Sequence, residues 1–303
     1  MKLFHAIQPS NVRSANRTKC KTLMLLTATT VLATLPISVG LSAQQFTTID
    51  VPGATATFAI RANPRGDIVG DYQDSSGVSH GFLLSKGTFT SFDAPGATHT
   101  EELGINPSGD IVGYYIDSSG NDHGFLLSKG KFSTIDFPGA VSTLAFGISP
   151  QGDIAGVYFD SSGNGHGFLL SKGKFTKIDF PGAIFTAADG IGVNPQGDIV
   201  GDYVDTSGND HGFLLSKGKF ITIDFPGALA TNAFGINPQG EIVGPYTDSS
   251  GNGHGFLLSN GTFATIDVPG AIVTVAASIT PQGDIVGFYF DSSGNAHGFL
   301  RSK

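Results

Sequence analysis

The chain has 303 residues, 40% of them apolar, with 43 glycines, 24 phenylalanines, no tryptophan and a formal net charge of −8. That share of apolar side chains excludes a disordered chain, and Val, Ile, Thr, Phe and Tyr punctuated by Gly, Pro, Asn and Asp excludes a helical one. The acidic balance repels phosphate backbones, which excludes nucleic acid as a partner.

Residues 1–43 differ from the rest. Lys2, Arg13, Arg17, Lys19 and Lys21 precede an apolar run, LMLLTATTVLATLPISVG (23–40), and the small residues of LSA (41–43) follow it. The pattern predicts a secretory signal peptide over 1–43 and a mature domain over 44–303. An uncleaved membrane anchor is the rival reading, because the run is about long enough to span a bilayer. Its threonines and Pro36 weaken that reading. Cleavage leaves twelve basic against 25 acidic residues, a net charge of −13. Cys20 lies before the apolar run, so the mature protein is expected to carry no disulfide and no thiolate metal site. A secreted, periplasmic or extracellular location without membrane contact follows.

The remainder is a repeat. The proline of PGA falls at Pro52, Pro95, Pro138, Pro181, Pro226 and Pro269, spaced by 43 residues with a single 45. The two extra residues lie in ADGIGVNPQG (188–197). In chain order each unit reads as four strands. The unit of Phe146 shows them: a short apolar strand (AFGIS), a PQGD turn, DIAGVYF, a DSSGN loop, HGFLL, an SKG turn, and KFTKIDF. The longer PGAIFTAADG connection then leads to the next unit. Three short reversals and one crossover describe a four-stranded antiparallel meander too small to stand alone. The fold class is therefore all-β, a six-bladed β-propeller of about 43-residue blades. A β-solenoid is the runner-up, and it fits less well because solenoid strands run parallel. The innermost strands crowd the axis, where Gly104, Gly147 and Gly235 are expected.

The domain starts with a spare fourth strand, FTTIDVP (46–52), and ends on a third strand, HGFLRSK (297–303). Pairing the two closes the ring and removes both edges. Pro245 in EIVGPYTD lacks an N–H, so it is expected at a strand end, at a bulge, or with its nitrogen facing outward.

The pattern GIN..G.IVG.Y.D..G..HGFL...G.F..ID.PGA resembles the HAF-type probable extracellular repeat of bacterial exported proteins, over essentially all of 46–303. This chain has His-Gly-Phe where the family name denotes His-Ala-Phe. The resemblance implies export and a propeller-like repeat, and it implies no catalytic residues. Likeness to WD-repeat propellers is architectural only, since the Trp-Asp dipeptide is absent.

His80, His123, His166, His211, His254 and His297 recur once per unit, with Asp74, Asp117, Asp160, Asp205, Asp248 and Asp291 six residues before them. Catalysis needs different groups converging on one point, whereas these lie on a ring. They are read as structural, each histidine bonding across its hairpin mouth, to the loop aspartate or a loop carbonyl. The loop also hints at calcium, but it lacks the several carboxylates and closing bidentate acid of a good site. No metal site and no cofactor is assigned, calcium remaining the one cation to consider. The aspartates of ID.PG (Asp50, Asp93, Asp136, Asp179, Asp224 and Asp267) are expected to cap the turn through backbone N–H groups.

In a meander the DSSGN loops and the PGA crossovers share one face, here acidic, and the lysine-bearing turns share the other. The crossovers lead to the central strand and carry residues without counterparts: His99, Glu101, Glu102, Asp189 and Asn232. These are the ligand-binding candidates. The preferred function is a non-catalytic binding or scaffold module, with multivalent weak contacts to an extracellular protein or glycan. The alternatives are a hydrolase or lyase with one axial site built from the crossovers, and a structural cell-envelope protein.

Overall fold

The computed structural model describes residues 45–191 and 197–303. The signal-peptide reading of 1–43 lies outside the described residues, as do Gly192 to Gln196 of the ADGIGVNPQG segment.

Residues 44–303 form one unit built from six antiparallel sheets. Blade 1 contains Ala56–Ala62, Ile68–Gln73, Ser79–Ser85 and Thr88–Phe92. Blade 2 contains His99–Ile105, Ile111–Ile116, Asp122–Ser128 and Lys131–Ile135. Blades 3, 4 and 5 repeat this order from Ser142, Phe185 and Ala230 to Ile178, Ile223 and Ile266. Blade 6 contains Val273–Ile279, Ile285–Phe290 and Ala296–Arg301, and takes its outer strand, Phe46–Ile49, from the start of the domain. The register of that pair runs from Phe46 opposite Arg301 to Ile49 opposite Gly298. Each inner strand meets the inner strands of both neighbouring blades, so the six surround one axis. The chain is a six-bladed β-propeller.

The turns form as their residues dictate. In SKG the lysine and glycine both have positive φ, 51° at Lys129 and 77° at Gly130, the backbone of a two-residue hairpin turn that follows strand twist. In the first turn, Asn106 Oδ1 accepts the N–H groups of Ser108 and Asp110 at 2.9 Å each. The two extra residues of the long unit fall in this first turn of blade 4, because Ile191 still pairs with Ile199.

The core lies in the seams between blades. Phe82, Phe125, Phe168, Phe213, Phe256 and Phe299, one per blade, are fully buried. Val200 and Ile223 of blade 4 pack with Ala233, Ile242 and Phe256 of blade 5. Removing one such phenylalanine costs about 3–5 kcal/mol. The glycine of HGF belongs to the same seam. A Cβ at Gly255 would meet Ile266 O at 2.9 Å and Ala276 Cβ of the next blade at 3.2 Å, so alanine fits only if strands shift. This accounts for glycine between the histidine and the phenylalanine of HGF. The axial glycines are crowded as expected: a Cβ at Gly104 would meet Phe146 O of the next inner strand at 3.0 Å.

Pro245 departs from expectation. It sits inside the strand Ile242–Thr247, opposite Gly255. The interruption falls on its inner partner, which is split into Ala230–Thr231 and Gly235–Ile236. Asn232 N–H donates to Pro245 O at 3.0 Å, but proline has no N–H to return the bond, and the ladder breaks there.

Candidate functional site

One polar arrangement recurs on the face that carries the DSSGN loops and the crossovers. In blade 2, Asp117 Oδ1 accepts the N–H groups of Ser119 (2.8 Å) and Asn121 (2.9 Å), and Oδ2 accepts Asn121 Nδ2 (3.1 Å). These bonds, the Asn121 N–H foremost, hold the Asp117 carboxyl down at about 2. His123 Nδ1 donates to Asp136 Oδ1 at 3.0 Å, and its Nε2 lies 3.5 Å from Asp117 Oδ2. Its ring stacks on Tyr115, with centroids 5.3 Å apart. The loop aspartate was expected as the histidine's partner; the shorter bond goes instead to the ID.PG aspartate at the end of the outer strand. All six blades share this clip, made by His80 with Asp93, His166 with Asp179, His211 with Asp224, His254 with Asp267, and His297 with Asp50. Partial burial works against protonation of His123, but the bond and charge of Asp136, then of Asp117, outweigh it and raise its pKa.

The turn-capping role expected of the ID.PG aspartates is corrected by this clip. The backbone N–H after Asp136, that of Phe137, is taken by Thr143 Oγ1 at 2.9 Å, a threonine of the next blade's inner strand. The same bond joins Phe180 to Thr186 and Phe225 to Thr231, both at 3.0 Å. The carboxylate, facing the histidine across the hairpin mouth, is left to pair with it.

The five unrepeated candidates fall into separate places. His99 Nε2 lies 2.7 Å from Glu101 Oε1, on the inner strand of blade 2. Tyr114 also bonds Glu101, and Asp71 of blade 1 lies within electrostatic reach. Glu102 is 0% exposed, and neither carboxyl oxygen has a partner among the described residues. Its register position is occupied elsewhere by Ala59, Ala145, Ala188, Ala233 and Ala276, all fully buried. The carboxyl therefore lies in an alanine-sized seam against Gly81 of blade 1. Burial, then the charges of Asp71 and Glu101, raise its pKa well above the carboxylate range. Asp189 is buried in blade 4, bonded to Asp202 and raised to about 6 by burial. Asn232 is half-buried in the broken strand of blade 5. The structure thus brings His99, Glu101 and Glu102 to the seam of blades 1 and 2, and keeps Asp189 and Asn232 apart from them.

A residue not singled out in the sequence dominates the axis. Arg61 stands where other blades have Gly104, Gly147, Gly190, Gly235 and Ser278. Its Nε donates to Leu103 O (3.2 Å), Nη1 to Phe234 O (3.0 Å) and Nη2 to Asp189 O (3.0 Å), tying blades 2, 5 and 4 across the ring. Its departure from a glycine column was the available signal. Burial lowers its pKa to about 10, against the attraction of Asp189. On the turn face Arg61 closes a cavity of about 50 Å³ walled by Ile105, Ile148, Ile236, Ile279 and prolines, room for a few waters.

No family model matches the chain, and no curated relative does. Solved structures resemble its fold. A variant of AofleA from Arthrobotrys oligospora is 15% identical with a TM-score of 0.54, covering 85% of this chain and 86% of that one. TolB from Acinetobacter baumannii is 15% identical with a TM-score of 0.59, covering 80% of this chain and 65% of that one. The fucose-specific lectin from Aleuria aurantia is 15% identical with a TM-score of 0.51, covering 81% and 91%. At such identity the likeness concerns the fold alone.

Proposed function

We propose that this is an exported, non-catalytic binding or scaffold propeller, belonging with the HAF-type repeat proteins and engaging an extracellular protein or glycan through its repeated face. One observation carries the reading: the same Asp–His–Asp clip with its stacked tyrosine stands on one face of every blade, three polar side chains of each partly open to solvent. Six linked weak contacts raise avidity without any single strong site. The fucose-specific lectin among the structural neighbours supports sugars as a class to test first, although the absence of tryptophan removes the commonest stacking platform.

The separation of the unrepeated carboxyls weighs against a single-site hydrolase or lyase. Glu102 is sealed in a seam and Asp189 sits by Arg61 near the axis, so they share no pocket. A glycan array and calorimetry on residues 44–303 test the binding reading. Altering one loop, as in Asn164→Ala, should lower avidity only in part, since five other loops remain. Complete loss from that one change, or turnover of any glycan dependent on Glu101, would defeat it.

A further inference from the structure

The loop face is not six-fold equivalent in its apolar residues. The residue after PGA is Val141, Ile184, Leu229 and Ile272 in blades 3 to 6, exposed by 57%, 56%, 61% and 48%. In blades 1 and 2 the same position holds Thr55 and Thr98, whose hydroxyls bond Gln73 O and Ile116 O at 3.2 Å. The main chain at the four aliphatic residues is anchored, each N–H donating to the end of the second strand of its blade, as from Val141 to Phe159 O at 2.9 Å. Little main-chain entropy remains to be lost when they are covered. Four consecutive blades thus present an arc of aliphatic groups on an anchored backbone.

The arc is set among carboxylates. Each of these blades adds a loop aspartate and a clip aspartate to the same face, such as Asp160 and Asp179 in the blade of Val141. The described loop-face lysine is Lys177, already paired with Asp179 at 2.8 Å. Lys129, Lys172 and Lys217 lie in the hairpin turns on the opposite face, and Lys131, Lys174 and Lys219 begin the outer strands there. The two faces therefore differ in charge as well as in shape.

We propose that the aliphatic arc of blades 3 to 6 is a docking surface for a cationic protein segment that alternates aliphatic and basic side chains. The aliphatic groups would be covered by those of the partner, and its lysines or arginines would meet the aspartates around them. Apolar groups ringed by charge match the core-and-rim pattern of protein interfaces. Anionic lipid and nucleic acid are repelled by the same field. The inference rests on the binding role of the loop face and adds the class of partner and the blades that hold it.

The probe is a synthetic peptide alternating Leu and Lys, with a Ser–Lys peptide of equal length and charge as control. Binding to residues 44–303 is measured by calorimetry at low and physiological salt. Val141→Thr, Ile184→Thr, Leu229→Thr and Ile272→Thr are combined, which copies blades 1 and 2 onto the other four and leaves charge unchanged; a melting curve confirms that the variant folds. The Leu–Lys peptide should bind wild type more tightly than the control, and the variant should lose about tenfold or more of that affinity. Equal binding of the two peptides to wild type overturns the proposal, as does an undiminished variant. So does self-association of wild type that the variant lacks, because the arc would then serve a second copy of this chain. Equal binding to anionic phospholipid vesicles also overturns it. A glycan that still binds both proteins while the peptides fail leaves the loop-face reading standing and removes only this inference.

Discussion

His297 Nδ1 lies 3.0 Å from Asp50 Oδ1, although 247 residues separate them in sequence. In the other blades the same clip spans 13 residues. The sixth clip is therefore made across the closure of the ring, beside the pairing of Phe46–Ile49 with the last strand. Deleting residues 46–50 should lower the melting temperature far more than His166→Ala, which loosens one clip at a cost of about 1 kcal/mol. Thermal denaturation of the two variants compares them, and equal melting shifts would refute the closure.

Glu102→Ala should stabilise the protein. It removes a buried carboxyl without partners and restores the residue of the other five seams. A gain of about 1–3 kcal/mol is expected in urea denaturation at pH 7. The sign with pH follows from its raised pKa. The folded state holds the proton more tightly than the unfolded chain, so stability is fully present below the unfolded value. It is lost as pH rises towards the folded value. The variant should show a flatter decline above about pH 4.5.

Three of the clip histidines, His80, His123 and His211, should titrate high. Their values are raised, with Asp93, Asp136 and Asp224 the strongest of the raising influences. For a base held this way, the stabilisation is complete below the unfolded value near 6.5 and fades as pH climbs through the folded one. Asp136→Asn should bring His123 down while leaving His211 in place, as followed by imidazole proton resonances. A common shift in both would refute independent clips.

Arg61→Lys should destabilise almost as much as Arg61→Ala. Lysine has no planar fork with which to reach three carbonyls on different blades. Either change leaves those carbonyls short of a donor, at about 2–4 kcal/mol in total. Arg61→Ala should in addition push the Asp189 carboxyl further above its present value of about 6, since the guanidinium opposes that rise. Carboxyl resonances report this directly.

The blades were legible because their turns are made by residues with few alternatives. Gly130 and Gly152 have φ of 77° and 88°, and such positions recur with the repeat. The closing strand was legible by counting, since a lone third strand and a lone fourth strand complete each other. The clip was half legible. His123 has an aspartate six residues before it and another thirteen after it, and only the strand register decides which sits at Nδ1. Glu102 stood out as unrepeated, but its depth did not. The inner strand shifts register between Glu102 and Gly104, and this bulge disturbs the alternation by which in and out are read. Arg61 was missed because a lone basic residue in an apolar strand gives no sign of which carbonyls surround it.

The borrowed outer strand also sets how the molecule meets mechanical load. Neighbouring blades are joined by side-chain packing and by single bonds such as Thr143 to Phe137, but Phe46 and Arg301 stand opposite each other within one sheet. Tension applied between residues 45 and 303 falls first on that pair of strands. They run antiparallel, with the start of one beside the end of the other. A pull on these two ends therefore opens the ladder from one side, bond by bond. The ring should part at blade 6 under modest force while the other five blades keep their sheets.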